Sequence, residues 1–193
     1  MIKKPLILAS CSPRRKRLFK NISKSFRVVA PQAYVEKEFS IAPEKHPSGF
    51  VVRQAIKKAK NVARRVHHGV VVGADTVVYF KGHIYGKPKN LKIAKKILDE
   101  LSGHRHTVYT GVAVFNVDKN FLCADYEKSY VWIRRLDARR IHDYFQKINP
   151  KDKAGAYAIQ EYGSDVVDRF TGSRDNIIGF PIKLVRKLIQ KSQ

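Results

Sequence analysis

The sequence predicts an α/β fold in which helices flank a mixed β-sheet. Short apolar runs alternate with amphipathic helical patterns in the first hundred residues, an order typical of strands joined by helices. Two strand-like segments, 105–117 and 121–135, then follow one another and insert antiparallel character into the sheet. The 193 residues contain no internal repeat and no Pro/Gly/Ser-rich linker, so we expect a single domain over residues 1–193.

The first elements are a buried strand and a capped helix. The apolar run 6–9 is short and typical of a buried strand, and it leads to Ser12, a good N-cap, and Pro13, which suits the first helical position. Residues 26–30 predict a second strand. Residues 31–46 contain two prolines and predict an irregular segment.

The later elements follow from periodicity and composition. Apolar residues at steps of three and four predict helices at 50–66, 90–101, 138–148 (capped by Asp137) and from Pro181 to about Gln190. Runs of β-branched and aromatic residues predict strands at 70–74, 76–79 and 83–85, the last two forming a hairpin around Lys81 and Gly82.

Charge and composition limit the classes of function. Lys and Arg number 39 against 16 Asp and Glu, a net charge of +23, and such a field attracts nucleotides, nucleic acid or anionic lipid. No stretch approaches the roughly 20 apolar residues of a membrane span, and no secretory segment precedes the first strand. Cys11 and Cys123 form no disulfide framework. We therefore expect a cytoplasmic protein without a membrane partner.

Four consecutive cations, residues 14–17, crowd the first turn of the first helix. That turn already carries partial positive charge from the helix dipole, so cations are unfavourable there. A bound polyphosphate would offset the repulsion, because helix-start N–H groups and Arg side chains both bind phosphate oxygens. The alternative is an ordinary surface helix with exposed arginines.

Asp75 is the acidic residue best placed for chemistry. It directly follows the apolar run 70–74, so we expect it at the carboxyl end of a buried strand, where α/β sheets bind ligands. A carboxylate there can bind Mg²⁺ or orient and deprotonate a water. The alternative is that Asp75 caps the turn before the next strand.

Three further features can contribute to a site, and each has a simpler interpretation. Lys58 flanks the buried stripe of its helix, where a snorkelling lysine would look the same. Lys87 lies in a Gly-Lys-Pro tripeptide, which is a weak signal on its own. Gln160 ends a stretch of small residues and can read a base edge, or can be a polar surface residue. His104 and His106 are read as ordinary strand residues because no third metal ligand is suggested.

Eight segments in register resemble the Maf family of nucleoside triphosphate pyrophosphatases. They are LILASCSPRR, FRVVAP with an acidic residue after it, AIKKAKNVA, VVVGADTVV, GKP, LSGHRHTVYTGV, DKAGAYAIQ and GSRDNIIGFP. The resemblance implies an elongated mixed sheet with a cleft between two lobes. It also implies hydrolysis of a nucleoside triphosphate between its α and β phosphates, with Mg²⁺ or Mn²⁺, to a monophosphate and pyrophosphate.

The resemblance also implies roles for individual residues. Asp75 matches the general base, with Lys58 and Lys87 beside it as catalytic residues. The substrate-binding positions are Ser10, Arg14, Arg15, Thr76 and Gln160. The metal positions are Asp75 and Glu36, with nearby Glu38 as the alternative to Glu36.

The branch of the family is indicated by three motifs. SPRR, GADT and IQ are typical of the dTTP/UTP branch, whereas the branch acting on 7-methyl-GTP differs at all three. In this chain Ala158 and Glu161 replace two glycines of the usual YGIQG. Glu161 adds negative charge beside the residue expected to read the base.

Two alternatives stay open from the sequence. One is a pyrophosphatase of the 7-methyl-GTP type, and another is a nucleic-acid-binding or septum-regulating protein without turnover. The high positive charge predicts weak nucleic-acid binding even for an enzyme. The resemblance also implies a homodimer as one state of the protein.

Overall fold

One mixed sheet of eight strands organises the chain. The computed structural model describes residues 4–32 and 40–193. The main strand order is β2-β1-β4-β6-β7-β8, and β5 pairs with both β4 and β3. The strands are β1 (Leu6–Ala9), β2 (Arg27–Val28), β3 (Ile41–Pro43), β4 (Val70–Phe80), β5 (His83–Tyr85), β6 (Arg105–Asn116), β7 (Phe121–Ile133) and β8 (Val167–Thr171).

Helices cover both faces of this sheet. They are α1 (Pro13–Phe19), α2 (Pro47–Ala63), α3 (Leu91–Leu101), α4 (Ala138–Lys147), α5 (Gly163–Val166), α6 (Arg174–Ile178) and α7 (Ile182–Ser192), with two 3₁₀ turns at Pro150–Asp152 and Ala154–Ala156. On one face α2 packs Ala55, Ala59 and Val62 onto β1 and β4. On the other face α1 and α7 cover one end of the sheet, and α3 and α4 cover the other end.

Two glycines allow α2 to lie unusually close to the sheet. A Cβ at Gly73 of β4 would be 2.5 Å from the Ala55 carbonyl oxygen, and one at Gly111 of β6 would be 2.4 Å from that of Val51. Any larger residue would push the helix backbone away, because side-chain atoms cannot approach a carbonyl oxygen this closely. The two glycines therefore set the height of α2 above β4.

The predicted fold class and most predicted elements are confirmed. Strands are observed at the predicted positions 6–9, 105–117 and 121–135 to within two residues, and the hairpin turns at Lys81 and Gly82. Ser12 and Asp137 cap their helices by accepting hydrogen bonds from Arg15 N and Arg140 N. None of the described helices is long and apolar enough to cross a membrane.

Four expectations about elements were wrong or incomplete. The segment 31–46 is not irregular throughout, because Ile41–Pro43 forms β3, with Pro43 ending a strand at the margin of the sheet. The strand at 70–74 does not end there, because β6 continues to pair with it as far as Tyr79. The second strand is limited to Arg27–Val28, and the helix expected at 50–66 begins and ends three residues earlier. In addition, β8, α5 and α6 were not expected.

Candidate functional site

The site lies where strand pairing along one side of β4 is interrupted. Along this edge of β4, β1 pairs as far as Gly73 and β5 begins to pair at Val78. Among the described residues no strand pairs with 74–77 on that edge. The sequence predicted that Asp75 lies at the carboxyl end of its strand. In the structure Asp75 lies in the middle of β4, just beyond the carboxyl end of β1. The parallel pairing of β1 and β4 brings the chain after Ala9 to this gap.

A pocket of about 660 Å³ opens at the gap. It is lined by all the described residues for which the sequence suggested a role in binding or catalysis: Ser10, Arg14, Arg15, Lys58, Asp75, Thr76, Lys87 and Gln160. Three more lysines line it, Lys89, Lys151 and Lys153, against the carboxylates of Asp75 and Asp152. A pocket with this excess of cations is suited to a polyanion.

An ion pair between Lys58 and Asp75 lines the pocket. Lys58 Nζ donates to Asp75 Oδ1 at 2.8 Å, and both side chains are largely buried, with 7% and 17% of their surfaces exposed. The close packing of α2 on Gly73 brings Lys58 within reach of β4. Asp75 is thus held in place by its strand and by the Lys58 ammonium group.

Arg14 is held across the pocket by a residue distant in sequence. Its Nη1 donates to Asp152 Oδ2 at 3.0 Å and its Nη2 to the Asp152 carbonyl oxygen at 2.6 Å. Burial alone would raise the pKa of Asp152, but the Lys153 hydrogen bond and the charge of Arg14 hold it below its usual range. A carboxylate from the 3₁₀ turn therefore offsets part of the charge gathered at the start of α1.

Arg15 lies against β4 and the end of α6. Its Nε donates to the carbonyl oxygen of Gly179 at 2.9 Å, and its Nη2 donates to Thr76 Oγ1 at 3.0 Å. Gly179 has φ of +105°, which permits this turn, and its ideal Cβ position lies 3.0 Å from Thr76 Oγ1. Thr76 points to the sheet face opposite that of Asp75, so neighbouring residues of one strand supply both sides of the pocket.

Ser10 and Lys87 complete the phosphate-binding candidates. Ser10 is buried directly after β1, and its Oγ accepts a hydrogen bond from Ser12 N at 3.2 Å. The backbone around Lys87 is fixed by Ser40, whose carbonyl accepts from Gly86 N and whose Oγ donates to the Lys87 carbonyl and accepts from Lys89 N. The exposed Lys87 side chain therefore projects from a well-anchored loop.

Gln160 marks the other end of the pocket. Its Nε2 lies 3.5 Å from Glu161 Oε1, and Glu161 in turn binds Lys153 Nζ at 3.1 Å. Lys153 is buried and also donates to Asp152 Oδ1 at 2.8 Å. A chain of ion pairs therefore joins the Gln160 loop to Arg14 through Glu161, Lys153 and Asp152.

The geometry adds residues that sequence reasoning missed. Asp152 binds Arg14, Lys153 binds Glu161, and the Gly179 carbonyl accepts from Arg15. The sequence predicted no role for Asp152, Lys153 or Gly179. Asp152 could have been noticed in the sequence, because acidic residues are few in this chain and this one lies beside a lysine, next to a segment of small residues. Glu36 and Glu38, the candidates for a second metal ligand, lie outside the described residues.

The donor set is compatible with a magnesium ion bound together with a triphosphate. Mg²⁺ in such sites takes one or two carboxylates, phosphate oxygens and water, and Asp75 offers one carboxylate. Asp152 is already bound by Arg14 and Lys153. The described residues contain no cluster of three or more His, Cys, Asp or Glu, so they form no complete protein cage for a metal.

The fold and this pocket define an α/β protein with a cationic pocket that contains a buried carboxylate–ammonium pair. A family model described as Maf-like protein matches residues 5–192, and the chain belongs to that family.

Curated relatives match over nearly their whole length. A dTTP/UTP pyrophosphatase of Methanosarcina barkeri is 36% identical over 97% of this chain and 93% of the relative. A dTTP/UTP pyrophosphatase of Caldanaerobacter subterraneus is 38% identical over 96% and 88%. The solved Ham1 protein of Staphylococcus aureus shares the fold, with a TM-score of 0.53, 15% identity, and coverage of 98% of this chain and 100% of that chain.

Proposed function

We propose that this protein hydrolyses dTTP and UTP between the α and β phosphates, releasing the nucleoside monophosphate and pyrophosphate. The observation that carries the proposal is the Lys58–Asp75 pair, 2.8 Å apart in the lining of a cationic pocket. The relatives named dTTP/UTP pyrophosphatase, 34–38% identical over nearly the whole chain, support the substrate class.

Binding of the triphosphate follows from the charges of the pocket. Arg14, Arg15 and Lys87 approach from α1 and from the loop after β5, and they neutralise the phosphate oxygens. Arg15 is already oriented by Gly179 and Thr76, so little side-chain entropy is lost when an anion binds. The cations thus select a chain of several phosphates over a single one.

Hydrolysis needs an oriented water and stabilisation of the charge that develops on the leaving pyrophosphate. Asp75 accepts a proton from the attacking water as general base. Lys58 orients the Asp75 carboxylate through their hydrogen bond and adds positive charge beside the reacting phosphate. A divalent cation held by Asp75, with Glu36 or Glu38 as the second carboxylate, would supply further charge neutralisation at the phosphates.

The base is read at the Gln160 end of the pocket. The amide of Gln160 offers both a donor and an acceptor, which complements the edge of uracil or thymine. Glu161, held by Lys153, lies on the donor side of that amide. The acceptor of Gln160 then remains for the N3–H group of the pyrimidine.

The decisive experiment measures pyrophosphate and orthophosphate release from dTTP, UTP and 7-methyl-GTP with Mg²⁺. Wild-type protein should release pyrophosphate from dTTP and UTP, and Asp75→Asn should lower kcat by about 10²–10⁴-fold, the usual contribution of a general base. The matched control is Asp99→Asn, the same exchange on an exposed position of α3, which should retain wild-type turnover.

Two outcomes would contradict the proposal. Full turnover by Asp75→Asn would remove the assigned base. Preferential hydrolysis of 7-methyl-GTP would assign the protein to the other branch of the family, with the pocket unchanged but the base selectivity wrong.

A further inference from the structure

One face of the sheet carries aromatic and cationic side chains that the proposed reaction does not use. Beyond the start of α2, odd-numbered residues of β6 and even-numbered residues of β7 project from this face: Arg105, Tyr109, Tyr126, Lys128, Tyr130 and Trp132, which we call the aromatic face. Gly111, on which α2 rests, pairs with Tyr126. No described helix packs over the rest of this face.

The rings and cations of the aromatic face are ordered by mutual contact. The Arg105 guanidinium lies 5.2 Å from the Tyr130 ring centre and 5.9 Å from that of Trp132. Lys128 Nζ lies 5.9 Å from the Tyr130 ring centre, and Tyr109 and Tyr126 pack at 6.1 Å between centroids. The Arg169 guanidinium also lies 4.7 Å from the Trp132 ring centre. Side chains held in this way are preorganised.

These residues are exposed enough to bind a partner. Tyr126 is 40% exposed, Arg105 and Lys128 are exposed, and the remaining three rings are half-buried. A single-stranded nucleic acid needs this combination, because its bases stack on aromatic or guanidinium planes while its phosphates pair with cations. Sheet faces with two or three stacking rings bind single strands in other folds.

The charge distribution favours a polyanion over a second copy of the chain. The acidic residues of β7, Asp125 and Glu127, have the opposite parity, and Glu127 contacts Ser173 on the other side of the sheet. Asp168 at the margin pairs with Arg134 and Arg169. A two-fold contact through this face would bring cations of one copy against cations of the other, in a chain of net charge +23.

We propose that the aromatic face binds single-stranded nucleic acid, independently of the nucleotide pocket. The pocket lies at the gap between β1 and β5, whereas the aromatic face lies on β6 and β7. The affinity comes from stacking of bases on the rings and from pairing of phosphates with the cations, so it is insensitive to base sequence and strongly dependent on salt.

Trp132 provides a direct test because it is the single tryptophan of the chain. Unlabelled dT20 is titrated into the full-length protein at low salt, with saturating inorganic tripolyphosphate present to occupy the nucleotide pocket. We expect saturable quenching of the tryptophan emission that weakens as salt is raised. Binding without quenching, or displacement of dT20 by tripolyphosphate, would place the nucleic acid elsewhere and overturn the proposal.

Charge-matched variants separate this face from the general positive field. With fluorescein-labelled dT20 and anisotropy, Arg105→Ala/Lys128→Ala should weaken binding about tenfold or more and lower the salt slope by about 1.4. The control, Lys92→Ala/Lys95→Ala, removes two exposed cations from α3 on the opposite face and should change the affinity less than about twofold. Equal losses in both double variants would overturn the proposal.

The stacking component has its own variant. Tyr130→Leu should weaken binding about tenfold without changing the salt slope, since it removes a ring and no charge. The mass of the protein by light scattering is measured in parallel. A dimer that is lost in Tyr130→Leu, with no effect on dT20 binding, would identify the face as a self-association surface instead.

Discussion

Replacing Gly73 with alanine should damage both stability and catalysis, although Gly73 contacts no substrate in the proposed reaction. The added methyl would lie 2.5 Å from the Ala55 carbonyl oxygen and 2.8 Å from Ala59 N. Both atoms belong to the backbone of α2, so no side chain can turn aside. The helix must withdraw by about 1 Å to restore ordinary contact, which begins near 3.4 Å.

The size of the effect follows from this displacement. Overfilling a packed interior costs about 1–3 kcal/mol, which lowers Tm by roughly 2–12 °C for a chain of this length. Lys58 belongs to the same helix, between Ala55 and Ala59, and its distance of 2.8 Å from Asp75 would lengthen toward about 3.7 Å. A misplacement of about 1 Å in an active site costs about 10²-fold in rate.

The assay combines thermal unfolding with pyrophosphate release from dTTP. The matched control is Gly49→Ala in the first turn of the same helix, where the nearest atom is the flexible end of Arg53 at 3.0 Å. That exchange should keep turnover and raise stability by a few tenths of a kcal/mol, up to about 1 kcal/mol. Wild-type turnover in Gly73→Ala would refute the conclusion that this glycine sets the position of Lys58.

Three further predictions concern polar side chains. Burial lowers the pKa of His106 to about 3, so between pH 7 and 5 a proton binds to this imidazole in the unfolded chain but not in the folded one. The free energy of unfolding should therefore fall by about 2 kcal/mol as the pH is lowered from about 7 to about 5. Urea titrations of His106→Gln should lack this loss, and a variant with the wild-type pH dependence would contradict the prediction. Lys153→Met should lower the free energy of unfolding by about 1–3 kcal/mol and raise KM for dTTP, because Asp152 and Glu161 lose their shared cation. An unchanged KM would show that Lys153 does not support substrate binding through Asp152 and Arg14. Gln160→Ala should reduce the preference for dTTP over dCTP more than it reduces kcat, and equal losses for both nucleotides would remove Gln160 from base recognition.

Local patterns predicted the helices and strands whose side chains alternate between core and solvent. They did not predict β8, because its residues after Val167 are all exposed and show no alternation. They ended the strand of Asp75 too early, because Asp is unfavourable in strands. The ladder with β6 outweighs that preference, since it continues through Asp75 paired with Gly111.

The candidate site was predictable as a set of residues but not as a set of contacts. The motifs placed Asp75, Lys58 and Arg14 in one expected site, and these residues do lie in one pocket. The pairing of Arg14 with Asp152 joins positions 138 residues apart. Periodicity and capping signals act over a few residues, so contacts at this separation follow only from the assembled fold.

The interrupted edge of β4 has a consequence for how recognition by this pocket can be dissected. Between the last partner of β1 and the first partner of β5, every second residue of 74–77 directs its main-chain amide and carbonyl away from β6, to an edge of β4 that no described strand pairs with. Main-chain groups are the same whichever side chain is present, so replacing side chains one at a time leaves their share of the affinity intact. The sum of losses from an alanine scan should therefore fall short of the total binding free energy, and amide-to-ester exchange in β4 would recover the difference.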